Sequence, residues 1–162
     1  MTDTHKDAKF EDAREAPLRL IAMDADDLKV ISALVQDAVF PASEMTWDAP
    51  RRRFALLINR FRWEDAPAAK RRARTVERVQ SVISVSDVLK VQSQGVKRGD
   101  TDTVLSLLSV SFTPSDDGMG RLELVLAGDG AIALEVETLD VTLQDVTRPY
   151  IAPSRHTPEH PE

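Results

Sequence analysis

The chain has 162 residues, 30% of them charged and 42% hydrophobic, with a net charge of −6 and no cysteine. That is the size and balance of one globular domain, and it excludes a disulfide framework, a thiolate metal site and a cysteine nucleophile. No apolar run approaches the ~20 residues of a membrane span, and the three histidines (His5, His156 and His160) lie in terminal segments, away from any rigid metal or general-base setting.

Residues 1–16 are charged, lack periodic apolar positions and read as a disordered N-terminal tail. Their polar, acidic character is the opposite of a secretory signal, so a cytoplasmic protein is expected. Leu18 to Met23 reads as a short strand. Asp24 is placed to cap a helix, with Asp26 and Asp27 in its first turn, where carboxylates meet the positive end of the dipole. Leu28, Ile31, Leu34, Val35, Ala38 and Val39 then recur at helical spacing, and Pro41 is expected to end that helix.

The rest reads mostly as strand. Ser43 to Trp47, Arg53 to Trp63, Arg71 to Ser86, Val88 to Val96, Thr103 to Thr113, Gly120 to Ala127 and Ala131 to Val136 are the candidates. Asp48 to Arg51 and Gly128-Asp129-Gly130 supply turns, and Glu64 to Ala69 is expected to be a loop. Residues 136–146 fit either period: Leu139, Val141 and Leu143 alternate, while Val136, Leu139, Leu143 and Val146 form a helical stripe. The helical reading is preferred, against the poor helix formers Thr138, Val141 and Thr142. From Arg148 the prolines at 149, 153, 158 and 161 mark a C-terminal tail, leaving one domain over residues 17–147. The expected fold is α+β: a strand and helix, then an antiparallel meander of about seven strands with a closing C-terminal helix. That is the element order of a pleckstrin-homology-like barrel, with a bent open sheet as the competitor.

Catalytic signatures are missing. There is no nucleophile elbow, no phosphate-binding loop and no dinucleotide fingerprint, and no cofactor or metal site is expected. The acidic pairs Asp26/Asp27, Asp116/Asp117 and Glu135/Glu137 suit a helix start, a turn and a solvated strand face. Charge, however, is segregated. Residues 51–78 hold ten basic side chains against three acidic ones, so this segment is +7 and the remainder −13. Read as strands, it projects Arg60 with Arg62, and Lys70 with Arg72, Arg74 and Arg78, as a basic sheet face beside Trp63. Such a face suits an acidic protein or a phosphorylated ligand; the plain alternative is a solvated face with cross-strand ion pairs. A second reading is a small-molecule or phosphometabolite binder, possibly enzymatic, with a pocket at Asn59, Arg60 and Glu64. Weak RNA binding is a third, disfavoured by the acidic total and the few aromatics. A long exposed strand edge would favour a homodimer.

At Leu18-Arg-Leu-Ile-Ala-Met-Asp-Ala-Asp-Asp-Leu28, Gln36-Asp-Ala-Val39, Arg53-Phe-Ala-Leu-Leu-Ile-Asn-Arg-Phe-Arg-Trp-Glu64 and Gly128-Asp-Gly-Ala-Ile-Ala-Leu134, the chain resembles a bacterial family catalogued as domain of unknown function 2948. The resemblance covers essentially the whole domain, and its most specific part is the Arg53–Glu64 stretch. It implies a small bacterial cytoplasmic protein and no established activity.

Overall fold

The computed structural model describes residues 17–73, 75–97 and 102–151. The expected tails at 1–16 and 152–162, and Arg74, lie outside the described residues. Ten strands form one sheet in which each pairing is antiparallel: β1 (Arg19–Ala22), β2 (Val39–Pro41), β3 (Met45–Asp48), β4 (Arg53–Phe61), β5 (Arg78–Val85), β6 (Val88–Gln94), β7 (Val104–Pro114), β8 (Gly120–Leu126), β9 (Ala131–Val136) and β10 (Val141–Asp145). Their order is β1-β10-β5-β4-β2-β7-β8-β9-β6, with β3 beside β4, and the sheet stays open. The α+β class holds. The described helices of more than one turn are α1 (Ala25–Val35) and α2 (Ala66–Arg71).

Asp24 caps α1 as expected, its carboxylate accepting from the Asp27 N–H at 2.8 Å. The helix stops at Val35 rather than at Pro41. Asp37 turns left-handed (φ 65°), and its N–H donates to the Leu107 carbonyl at 2.8 Å. Residues 39–41 then become β2, because Val39 pairs with Asn59 of β4 on one side and with Ser106 of β7 on the other. Backbone pairing on both edges outweighs the helical spacing of Ala38 and Val39. Through this short strand the sheet continues from β4 to β7.

The opposite corner is a bent ribbon. Strands β5 and β6 run almost continuously, as do β9 and β10. They stay paired around the bend by Ser86 N–H to the Asp140 carbonyl (3.1 Å) and Glu137 N–H to the Asp87 carbonyl (2.9 Å). Arg52 pins the bend: its carbonyl accepts from Val88, and its guanidinium binds Glu137. Gly128 and Asp129 both take positive φ (80° and 66°), the geometry of the tight β8–β9 turn.

Two further expectations are corrected. Residues 66–71 are helical, since Pro67 suits a first turn and three alanines favour helix. Strand β5 therefore begins only at Arg78. The preferred closing helix is instead β10, flanked by β1 and β5, with Val141, Leu143 and Asp145 all buried. The element on which a pleckstrin-homology-like barrel rested is thus a strand. The core lies between the inward rows of the bent sheet and the Leu28, Ile31 and Val35 face of α1.

Candidate functional site

Strand alternation divides the nominated residues. Along β4, Phe54, Leu56, Ile58 and Arg60 point inward and are fully or almost fully buried. Arg60 thus continues an apolar row, with its side chain 0% exposed. On β5 and β10 the inward rows include Ser81 and Asp145, which face each other in register. The guanidinium of Arg60 meets both: Nε donates to Ser81 Oγ (3.1 Å) and Asp145 Oδ1 (3.2 Å), and one terminal nitrogen donates to Asp145 Oδ1 (3.0 Å) and Oδ2 (3.1 Å).

Glu64 closes the other side. A 3-10 turn over Trp63–Asp65 swings its carboxylate back to grip both terminal nitrogens of Arg60 at 2.9 Å each, and the Phe61 carbonyl takes a further bond at 3.1 Å. Asp145 also accepts from Ser81 Oγ at 2.6 Å and from the Leu18 N–H at 3.0 Å. One buried cation therefore ties β1, β4, β5, β10 and the 3-10 turn together, its hydrogen-bonding capacity consumed inside the protein. Burial alone would lower the Arg60 pKa; the bonds and charges of Glu64 and Asp145 outweigh it and hold the guanidinium more firmly protonated. Burial would likewise raise the Glu64 carboxyl, and Arg60 overrides that, so its pKa lies below the ordinary carboxylate value.

Arg62 is similarly engaged, bonded to Glu77 at 2.8 Å with Asp65 at 3.7 Å. Trp63 is half-buried; its indole N–H donates to the Gln36 carbonyl at 2.9 Å and its ring lies 5.2 Å from that of Phe61. Trp47 is partly buried and packs against the core.

The outward side differs. Asn59 and Phe61 of β4 stand opposite Gln80 and Arg78 of β5. The Arg78 guanidinium lies over the Phe61 ring, 4.5 Å from its centroid, and its Nε is buried without a hydrogen-bond partner. No carboxylate pairs with Arg78 among the described residues. Beyond β10 the chain returns to this place: Arg78 and Tyr150 exchange backbone hydrogen bonds (2.6 and 2.8 Å), and the Tyr150 hydroxyl donates to Asn59 Oδ1 at 2.6 Å. Lys70, Arg71 and Arg72 are exposed at the end of α2 and likewise have no ion-pair partner among the described residues.

The nominated residues thus form an internal knot (Arg60, Glu64), a flanking ion pair (Arg62) and an outer patch (Asn59, Arg78). Arg72 lies outside any strand. The single basic sheet face does not assemble, because Lys70 and Arg72 belong to α2 and its cap. Ser81, Asp145, Phe61 and Tyr150 were not foreseen. Asp145 was visible as the acid ending the alternation Val141, Leu143, Asp145, a signal lost by preferring a helix there. Away from these residues, a cavity of ≈540 Å³ is lined by Ala42, Gly95, Val96, Lys97, Thr103 and Leu105. Among the described residues no cluster of three or more histidines or carboxylates is suited to hold a metal ion, and no helix is long and apolar enough to cross a membrane.

The fold and site define an α+β protein with a buried ion-pair knot at Arg60 and, on the outward side, Arg78 over the Phe61 ring without an ion-pair partner among the described residues. Residues 18–160 match the family model described as "Protein of unknown function (DUF2948)", and the chain belongs to that family. Neither the curated proteins nor the solved structures contained a match.

Proposed function

We propose that this chain is a non-catalytic interaction module of the bacterial cytoplasm that takes an acidic or phosphorylated protein partner at Arg78. The observation that carries this reading is the contrast among its arginines. Arg60 and Arg62 are neutralised by carboxylates, whereas Arg78 lies over the Phe61 ring with a buried, unpaired Nε. A guanidinium fixed in this way loses little entropy on binding and offers a carboxylate or phosphate a charge-assisted bond. The carboxamide nitrogen of Asn59, whose oxygen is taken by Tyr150, adds a donor beside it, and Lys70, Arg71 and Arg72 add local positive charge to an acidic molecule.

Thermal melts in the presence of inorganic phosphate, a phosphoserine peptide and an acidic peptide test this. A ligand that binds only the native state raises the melting temperature. The expected result is a rise with one of the two peptides that disappears in Arg78→Ala. A rise that persists in Arg78→Ala contradicts the site, and no rise with any anion contradicts the reading. The cavity favours a second reading, a phosphometabolite binder centred on Lys97 rather than on Asn59, Arg60 and Glu64. It predicts a rise with sugar phosphates or nucleotides that Lys97→Ala abolishes.

A further inference from the structure

The open sheet leaves a gap with a strand edge on each side. Among the described residues β3 pairs only with β4, and β6 only with β9, so each keeps a free edge. Both edges bound the same opening. At one end the turn from β3 into β4 meets β6, where the Val88 N–H donates to the Arg52 carbonyl at 2.8 Å. At the other end Ala42, shortly before β3, and residues 95–97, just after β6, line the ≈540 Å³ cavity together. The two strands therefore run in opposite directions along the sides of the gap. Past Val88, the free edge of β6 over residues 89–94 has no backbone partner among the described residues.

The walls of the gap are apolar. Met45 and Trp47 on β3, Val91 on β6, and Val96 and Leu105 near the cavity pack against the core yet are only half-buried. An extended segment placed here would cover them and also satisfy the unpaired edge of β6, which is a ready template for strand addition. A small molecule in the cavity would leave most of that edge bare. Charge adds a second requirement. Lys90 is exposed, and Glu135, its cross-strand neighbour on β9, lies 3.9 Å from Arg121, which leaves Lys90 without an ion pair among the described residues. We infer that the gap between β3 and β6 binds an extended peptide of a partner protein, antiparallel to β6, with apolar side chains inward at alternate positions and an acidic residue outward beside Lys90. Antiparallel pairing is the more stable per residue, and the acid completes a cross-strand pair. The bulge at Leu89 and the charge of Lys90 restrict which strands can add. This inference does not rest on the anion reading, since Arg78 begins β5 at the end remote from β6; it competes with the phosphometabolite reading for the cavity.

The test is selection of a displayed library of random peptides, about ten residues long, on the full chain, a length that matches a typical strand with its flanks. Enriched sequences should alternate apolar and polar residues and carry an acid at a polar position. A synthetic peptide of the enriched sequence should bind Lys90→Glu, once that variant is shown to melt like wild type, about threefold to tenfold more weakly. Changing the acid of the peptide to lysine should restore that loss. N-methylation of one of its two alternating sets of amides should abolish binding, because those N–H groups pair with β6. Enrichment without alternation, binding indifferent to N-methylation of either set, or loss with Arg78→Ala but not Lys90→Glu would each overturn the inference. So would a failure to enrich any peptide; a melting-temperature rise with sugar phosphates would then leave the cavity to the phosphometabolite reading.

Discussion

Arg60 occupies a place in β4 where a leucine or isoleucine would ordinarily complete the row begun by Phe54, Leu56 and Ile58. A charge there is tolerated because two carboxylates, a hydroxyl and a carbonyl satisfy it. Removing only the cation strands Asp145, so Arg60→Met should lose about 3–5 kcal/mol in urea unfolding. Arg78→Met keeps an apolar stem over Phe61 and should lose no more than about 1 kcal/mol. Equal losses would contradict the division of the two arginines between core and surface. The knot also sets an acid limit. The Glu64 carboxyl is depressed in the folded state, so its contribution is complete above its unfolded pKa, near 4.3, and is lost as pH falls through the lower folded value. Wild type should therefore exceed Glu64→Gln in stability at neutral pH, and the gap should close below about pH 4. A gap independent of pH would show that the bond matters by shape rather than by charge.

Among the elements, those read most securely from sequence are those in which local preference and tertiary packing agree. Asp24 caps α1 because a carboxylate at that position satisfies a free N–H wherever the helix docks, and Asp24→Ala should cost about 1 kcal/mol. The β8–β9 hairpin follows from Gly128-Asp129, whose positive φ values fix the turn locally. Three elements depart from their local pattern where long-range pairing decides. β2 breaks a helical stripe to join β4 and β7; β10 takes a slot between β1 and β5; and α2 interrupts what looked like one basic strand. The candidate site suffered from the same cause. Arg60 and Glu64 were nominated together and do meet, but the inward register of Asp145, which makes them structural, is hidden unless residues 141–145 are a strand. If β10 is the central strand described, Leu143→Ala should cost about 2–5 kcal/mol and the outward Gln144→Ala less than about 0.5. Comparable, small effects at both positions would contradict it.

Across the whole molecule, the segregated charge resolves into two populations. Part is internal, neutralised where it meets carboxylates around Arg60 and Arg62; part is surface charge at Lys70–Arg72 and Arg78, set against a domain that is otherwise acidic. The bent sheet separates Arg60 from Arg78 by directing alternate residues of β4 and β5 to opposite faces, while Lys70–Arg72 lie at the end of α2. The proposed recognition surface therefore depends on Arg78 and not on Arg60. Affinity capture from a nuclease-treated native lysate measures this most directly, with wild type and Arg78→Ala compared after both are shown to melt alike. A protein partner should be retained by wild type and lost, or reduced at least about tenfold, with Arg78→Ala. Recovery of the same proteins by both, in the same amounts, would contradict it.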